Sequence, residues 1–208
     1  MHEFHRLSVV LPKHLPYEKY LHIVLNETDR LTKLTNSLLT LNNLNTRGMV
    51  LEKTDFDLNT VIRDTAATFE GTCQQKRIAI ELVLTGDQLY VNADMGKIQQ
   101  VLYNLLDNAI KFSHNDSVIK IETTEKNTKV FISVKDSGIG IQPEDLPRVT
   151  DWGYTGQNGH SGTRSTGIGL ALCRETLEML GHRMRIESTP GVGTSVYLDF
   201  SRNELEIF

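Results

Sequence analysis

Two periods of hydrophobic and polar positions run along this chain, and the change from one to the other divides it. In "YEKYLHIVLNETDRLTKLTNSLLTLNNLN", residues 17 to 45, Val24, Leu31 and Leu38 recur every seventh residue, with Leu34 and Leu41 three residues after the last two. That heptad stripe predicts one helix of about 43 Å, at about 1.5 Å per residue. A rod of this kind cannot bury its stripe alone, so the pattern calls for a partner helix in a hairpin or a dimeric bundle. Upstream, Pro12 and Pro16 in "LPKHLP" place a turn. At most ten residues precede it, so the first arm of the hairpin is expected to be truncated or atypical.

Gly48 ends the long helical pattern, and a mixture of periods follows. "MVLEKTDFDL" reads as a short strand, with Asp57 placed to cap a helix over 58–75. Alternation predicts strands at 78–84 and 88–92, a helical period covers 94–113, and strands return at 117–124 and 128–136. A glycine-rich loop then leads to a helix at about 167–180 and to strands at 183–188 and 194–200. Strand pairs with inserted helices predict an α+β fold: a two-layer α/β sandwich, its mixed sheet packed on helices, preceded by an α-helical hairpin. The expected division is a hairpin over 1–47 and the sandwich over 48–208.

Composition narrows the picture. With 208 residues there is room for one good core and an appendage. The net charge of −4 offers no basic excess to neutralise phosphate backbones, which argues against nucleic acid as the main partner. No run of about 18 apolar residues occurs, so no spanning segment is expected, and no signal peptide is visible. Cys73 and Cys173 stand far apart, form no C-x-x-C pair, and read as buried small residues in a reducing compartment.

The candidate chemistry lies in three places. In "NADMGKIQQVLYNLLDNAIKFS", Ile98, Val101, Leu102, Leu105, Ala109 and Phe112 form the buried stripe. Asn104, Asn108 and Lys111 fall in a second line beside it. Two carboxamides and an ammonium in one row suit a magnesium ion and the phosphates it bridges, or simply line a solvent-facing edge. In "KVFISVKD", the inward alternation of Val130, Ile132 and Val134 carries on to Asp136, and Gly138 and Gly140 let another group approach the backbone. A buried carboxylate needs a donor, either an exocyclic amine such as that of adenine or the aspartate's own loop. Finally, "TDWGYTGQNGHSGTRSTGIG" has the composition of a lid and ends where Gly167 and Gly169 open a helix, whose first N–H groups suit phosphate. Gly191 and Gly193 read as a hairpin turn, with Thr194 able to reach a ligand from the pocket floor.

Taken in order, "NLLDNAIK", "DSGIGI", "STGIGLAL" and "GVGTSVYL" resemble the asparagine box and successive glycine boxes of sensor histidine kinases, within the ATPase family shared with gyrase and Hsp90. The resemblance covers about residues 50 to 200, and the preceding "LNETDRLTKLTNSLLTLNNL" resembles the second helix of that family's dimerisation bundle. It implies that Asn104 and Asn108 hold Mg²⁺ and that Lys111 touches phosphate. Asp136 would accept from the adenine amine beside Gly138 and Gly140, Gly167 and Gly169 would free the backbone around the phosphates, and Thr194 would help hold the adenine end. The implied activity is transfer of the γ-phosphoryl of ATP to a histidine and then to an aspartate of a response-regulator receiver domain. The implied setting is a cytoplasmic homodimer, joined to a membrane only through a sensor region outside this chain.

Two departures stand out. The lid's usual phenylalanine box is replaced by "RVTDWGYTG", leaving Trp152 and Tyr154 as its aromatics. The phosphoacceptor pattern begins with His2, Glu3 and Phe4 and then fails, some two or three turns too close to the long helix. The acceptor is therefore His2, with Glu3 beside it, or a histidine upstream of this sequence. The rival expectation is a nucleotide-binding, dimeric signalling module without autokinase activity.

Overall fold

A computed structural model describes residues 51–127, 129–156 and 166–201, with a few positions between 17 and 35. The chain divides into two compact units, Met1–Asn42 and Asn43–Phe208. In the first, the described positions are helical, and Thr28 Oγ1 donates to Val24 O one turn back (2.8 Å). The arm before Pro16, with His2 and Glu3, lies outside the described residues.

The second unit runs β1 (Lys53–Asp57), α1 (Leu58–Ala67), α2 (Glu70–Lys76), β2 (Ala79–Val83), β3 (Tyr90–Asp94), α3 (Met95–Phe112), β4 (Val118–Lys126) and β5 (Lys129–Lys135). It ends with α4 (Gly169–Met179), β6 (Arg183–Thr189) and β7 (Gly193–Ser201). The five-stranded sheet has the order β2-β4-β5-β7-β6, with β2 parallel to β4 and the remaining pairs antiparallel. The expected α+β sandwich with a mixed sheet is therefore present. Among the described residues no helix is long and apolar enough to cross a membrane.

One local expectation needs correction. The helix drawn over 58–75 is two helices, broken at Thr68 and Phe69. Thr65 and Thr68 turn their hydroxyls back onto the carbonyls of Val61 (2.7 Å) and Thr65 (2.7 Å), a pairing that competes with helix propagation, and Phe69 turns into the core. The strands on either side of residue 86 do not pair with each other. Instead β3 joins β1 in a separate antiparallel ladder, with Phe56 opposite Val91. Asp57 caps α1 as expected, and its Oδ1 also accepts from Leu89 N (2.8 Å), tying the start of α1 to the residue before β3.

Helix α3 is the centre of the core. Ile98, Val101, Leu102, Leu105, Leu106, Ala109 and Ile110 are all buried, so the stripe gains Leu106 and Ile110 over the sequence reading, while Phe112 is only partly buried. They meet the inward sides of β4 (Ile119, Ile121), β5 (Val130, Ile132, Val134) and β7 (Val196, Leu198, Phe200). Cys73 and Cys173 are buried free thiols, as expected.

Candidate functional site

The inward alternation of β5 carries one residue past the strand, so Asp136 arrives half-buried at the edge of the core. Its backbone N–H donates to Thr194 O (2.9 Å), and its Oδ1 accepts from Gly138 N (2.9 Å) and Thr194 N (3.2 Å). Burial pushes its carboxyl above the ordinary carboxylate range, and those two N–H groups pull it partly back. Every one of these side-chain bonds falls on Oδ1. No described group donates to Oδ2, and Asp136 lines a cavity. The loop-capping reading is realised: Asp136 caps its own loop with one oxygen, while its other oxygen receives no bond from a described group.

The cavity walls are apolar, from Leu105 of α3, Ile139 and Ile141 after β5, Leu170 of α4, Ile186 of β6 and Val196 of β7. Of the polar row on α3, Asn108 lines the cavity, while Asn104 and Lys111 are not among the lining residues. Asn104 is half-buried one turn earlier, and its amide nitrogen is buried without a hydrogen bond of ordinary geometry. That amide acts on the thiol of Cys173, where burial dominates and pushes the pKa up to about 12. The Lys111 ammonium lies 5.6 Å from the Phe112 ring centroid.

The glycine loops close the site by backbone contact. A Cβ at Gly138 would stand 2.3 Å from Phe112 O, and Ile139 N donates to that same carbonyl (3.1 Å), so the loop after β5 lies on the end of α3. Gly140, with φ +67°, passes against the Thr189 carbonyl, 2.2 Å from where a Cβ would be; only glycine meets both demands. Gly167, with φ +66°, lies against the backbone of Gly153 and Tyr154, and its carbonyl accepts from Gly153 N (3.0 Å). That bond joins the two ends of the glycine-rich segment. Gly169 opens α4 with the Asn108 amide nitrogen 3.6 Å from its would-be Cβ, and no side chain caps the helix. The first N–H groups of α4 therefore border the cavity at Gly169 and Leu170.

Asp136, Asn108, Gly140, Gly167, Gly169 and Thr194 thus line one cavity, and Gly138 packs directly behind Asp136. The sequence reading missed Asp145. It is buried, lines the cavity, and accepts from the Tyr154 hydroxyl (2.5 Å). No periodic pattern marks it, because it sits in an irregular turn. Tyr154 lines the cavity and Trp152 does not, so only one of the two expected aromatics is placed there. Gly193 is more than a turn residue: a Cβ on it would meet Asp136 O at 2.1 Å.

The arrangement is an apolar slot with a carboxylate oxygen at its floor and an amide and an uncapped helix start at its rim. It matches a flat heteroaromatic ring bearing an amine and a phosphate tail. The family model described as histidine kinase-, DNA gyrase B- and HSP90-like ATPase matches residues 93–204. The chain belongs to that ATPase family. Its relatives within the family are sensor histidine kinases of two-component signal transduction. The chain is 32% identical to the sensor histidine kinase YkoH of Bacillus subtilis (strain 168), over 88% of this chain and 39% of YkoH. It therefore spans well under half the length of that relative. Among solved structures, the nucleotide-free catalytic domain of histidine kinase ThkA is 31% identical, with a TM-score of 0.65, covering 73% of this chain and 96% of that one. ThkA in complex with the response regulator TrrA is 28% identical, with a TM-score of 0.74, covering 93% of this chain and 53% of that one. The fold is that of a histidine kinase catalytic domain, an ATP-binding domain by family.

Proposed function

We propose that this chain binds Mg-ATP in the cavity between α3, α4 and β7 and passes its γ-phosphoryl to a histidine, from which an aspartate of a receiver domain takes it. The observation that carries the reading is the convergence of Asp136 Oδ2, Asn108 and the start of α4 on one apolar slot. Asp136 accepts from the adenine amine, and Thr194 stands beside it. The N–H groups of α4 hold phosphate oxygens, with Gly167 and Gly169 keeping the backbone close. Lys111, on the same helix as Asn108 but outside the cavity lining, would reach the phosphates only from the cavity's edge.

Among the described residues no three His, Cys, Asp or Glu side chains group around a metal position. A metal here would rest on few protein oxygens and mainly on the ligand's own phosphates. That suits Mg²⁺, which keeps water and phosphate oxygens and takes few protein ligands. Asn108 lies at the cavity to serve as such a ligand, with Asn104 one turn behind it. A bound ion, held by Asn108, would supply neutralisation of phosphate charge; the chain's own part is positioning and exclusion of water.

The same reading places the chain in the cytoplasm, with residues 1–47 as a dimerisation hairpin and 48–208 as the catalytic domain. The ThkA–TrrA complex supports a receiver domain as partner. One observation favours a second reading, a dimeric nucleotide-binding module without autokinase activity: after His2, Glu3 and Phe4 the acceptor pattern fails. Incubation with γ-labelled ATP separates the two. Acid-labile label lost in His2→Gln assigns the acceptor to His2. Tight ATP binding with no label on this chain, on a longer chain that carries the upstream histidine, or on an added receiver domain overturns the kinase reading in favour of the second.

A further inference from the structure

Ser188, in β6, forms a hub behind the cavity floor. Its Oγ accepts from Ile141 N (2.9 Å), lies 2.9 Å from Gly193 O as a donor, and lies 2.9 Å from Thr194 Oγ1. A hydroxyl has one hydrogen and two lone pairs. Two acceptor oxygens 2.9 Å apart with no hydrogen between them repel, and a carbonyl cannot donate, so the Ser188 hydrogen lies on the Gly193 contact. With the Ser188 hydrogen spent on that carbonyl, Ser188 can meet Thr194 only as an acceptor, so the Thr194 hydroxyl must donate to Ser188. Ser188 is then saturated, with one bond given and two received.

The consequence falls on the ligand side. Thr194 lines the cavity, but its hydroxyl hydrogen is turned away, and its backbone N–H is already held by Asp136 Oδ1. We propose that Ser188 is a positioning residue for base selectivity: by taking the Thr194 proton, it leaves Thr194 able to offer the base only lone pairs. Together with Asp136 Oδ2, the floor then presents acceptors alone. An amine with two N–H groups is welcome there, and a ring carbonyl in the same place meets two acceptors and no donor. This rests on the nucleotide reading above and extends it to how the base is told apart.

The test is the ratio of ATP to inosine triphosphate affinity, measured by calorimetry on the whole chain, since inosine carries a carbonyl, with a protonated ring nitrogen beside it, where adenine carries the amine. The wild type prefers ATP. Ser188→Ala frees the Thr194 hydroxyl to turn and donate to the carbonyl, so the ratio narrows by about three- to tenfold, the size of one net hydrogen bond. Thr194→Val, which keeps the Ser188 bonds to Ile141 and Gly193, narrows the ratio by itself, and adding Ser188→Ala to it changes nothing more. Equal loss of both affinities in Ser188→Ala, or the same narrowing when Thr194 is already valine, would overturn the proposal. If Ser188→Ala does not fold, an unaltered ratio in Thr194→Val overturns it. A wild type that binds neither nucleotide overturns the nucleotide reading itself, whereas firm ATP binding with an unaltered ratio removes only the role of Ser188.

Discussion

Asp136 and Thr194 hold each other by two hydrogen bonds where the β5–β7 ladder ends, Asp136 N to Thr194 O (2.9 Å) and Thr194 N to Asp136 Oδ1 (3.2 Å). The pair fixes a carboxylate that burial disfavours, so its charge is a cost to the fold kept for another use. The folded pKa is raised, so the stability contributed by this group is full below its unfolded value and is lost as pH rises through the folded one. Asp136→Asn removes that cost and keeps an oxygen for the two N–H donors. Thermal unfolding near neutral pH should therefore give a midpoint no lower than the wild type's, with the difference shrinking as both are acidified. A clearly lower midpoint at neutral pH would contradict the assignment of burial as the dominant influence.

Nucleotide binding should show the opposite dependence. Only the carboxylate accepts from an amine through Oδ2, so ATP affinity should fall as pH drops toward the raised Asp136 pKa, beginning above the pH at which an exposed aspartate titrates. A fluorescent ATP analogue followed across the acid range checks this. Affinity that is flat down to the ordinary aspartate range would contradict it.

The glycines differ in what they tolerate. Alanine at Gly191 (φ +72°, open space around its Cβ position) should cost about 1–2 kcal/mol from conformation alone. Alanine at Gly140 suffers the same strain and also meets the Thr189 carbonyl, adding about 1–3 kcal/mol of overpacking. Urea midpoints of the two variants should separate in that order, and equal midpoints would show that the loop after β5 is not clamped against β6.

Tyr154→Phe removes the hydroxyl that serves buried Asp145 while keeping the ring under the Arg148 guanidinium (4.2 Å). The buried carboxylate oxygen then lacks that partner. Amide exchange over residues 145–156 should quicken, with exchange in α3 unaltered. Unaltered exchange in both would show that the Tyr154–Asp145 bond does not anchor the segment.

Both cysteines should be silent in the native protein. Burial raises the pKa of each thiol, that of Cys173 to about 12, and a thiolate is the reactive form. A colorimetric thiol assay should count two only after denaturation, and rapid labelling of Cys173 in the folded chain would contradict its place beneath α3.

How far the sequence reaches can be judged from particular residues. The strands and helices were legible because Val130, Ile132 and Val134 keep a period of two and Ile98, Val101, Leu102 and Leu105 a helical one. Asp136 was legible as an extension of the first period. Pairing was not: nothing local says that Phe56 faces Val91, or that Ile80 runs parallel beside Ile119. The break at Thr68 was hidden because two threonines back-bonding to carbonyls leave the apolar pattern intact. Asp145 was hidden because its burial depends on Tyr154, nine residues on, folding back over it. The hub at Ser188 joins three segments and has no trace in any one of them.

The central claim is that one cavity takes the base of ATP through Asp136. Calorimetric titration of Mg-ATP into the wild type and into Asp136→Asn tests it most directly. Asparagine, with its oxygen held by Gly138 and Thr194, turns an N–H toward the amine, and affinity should fall by about ten- to a hundredfold in a variant that remains fully folded. Equal affinity in the two proteins would contradict the account.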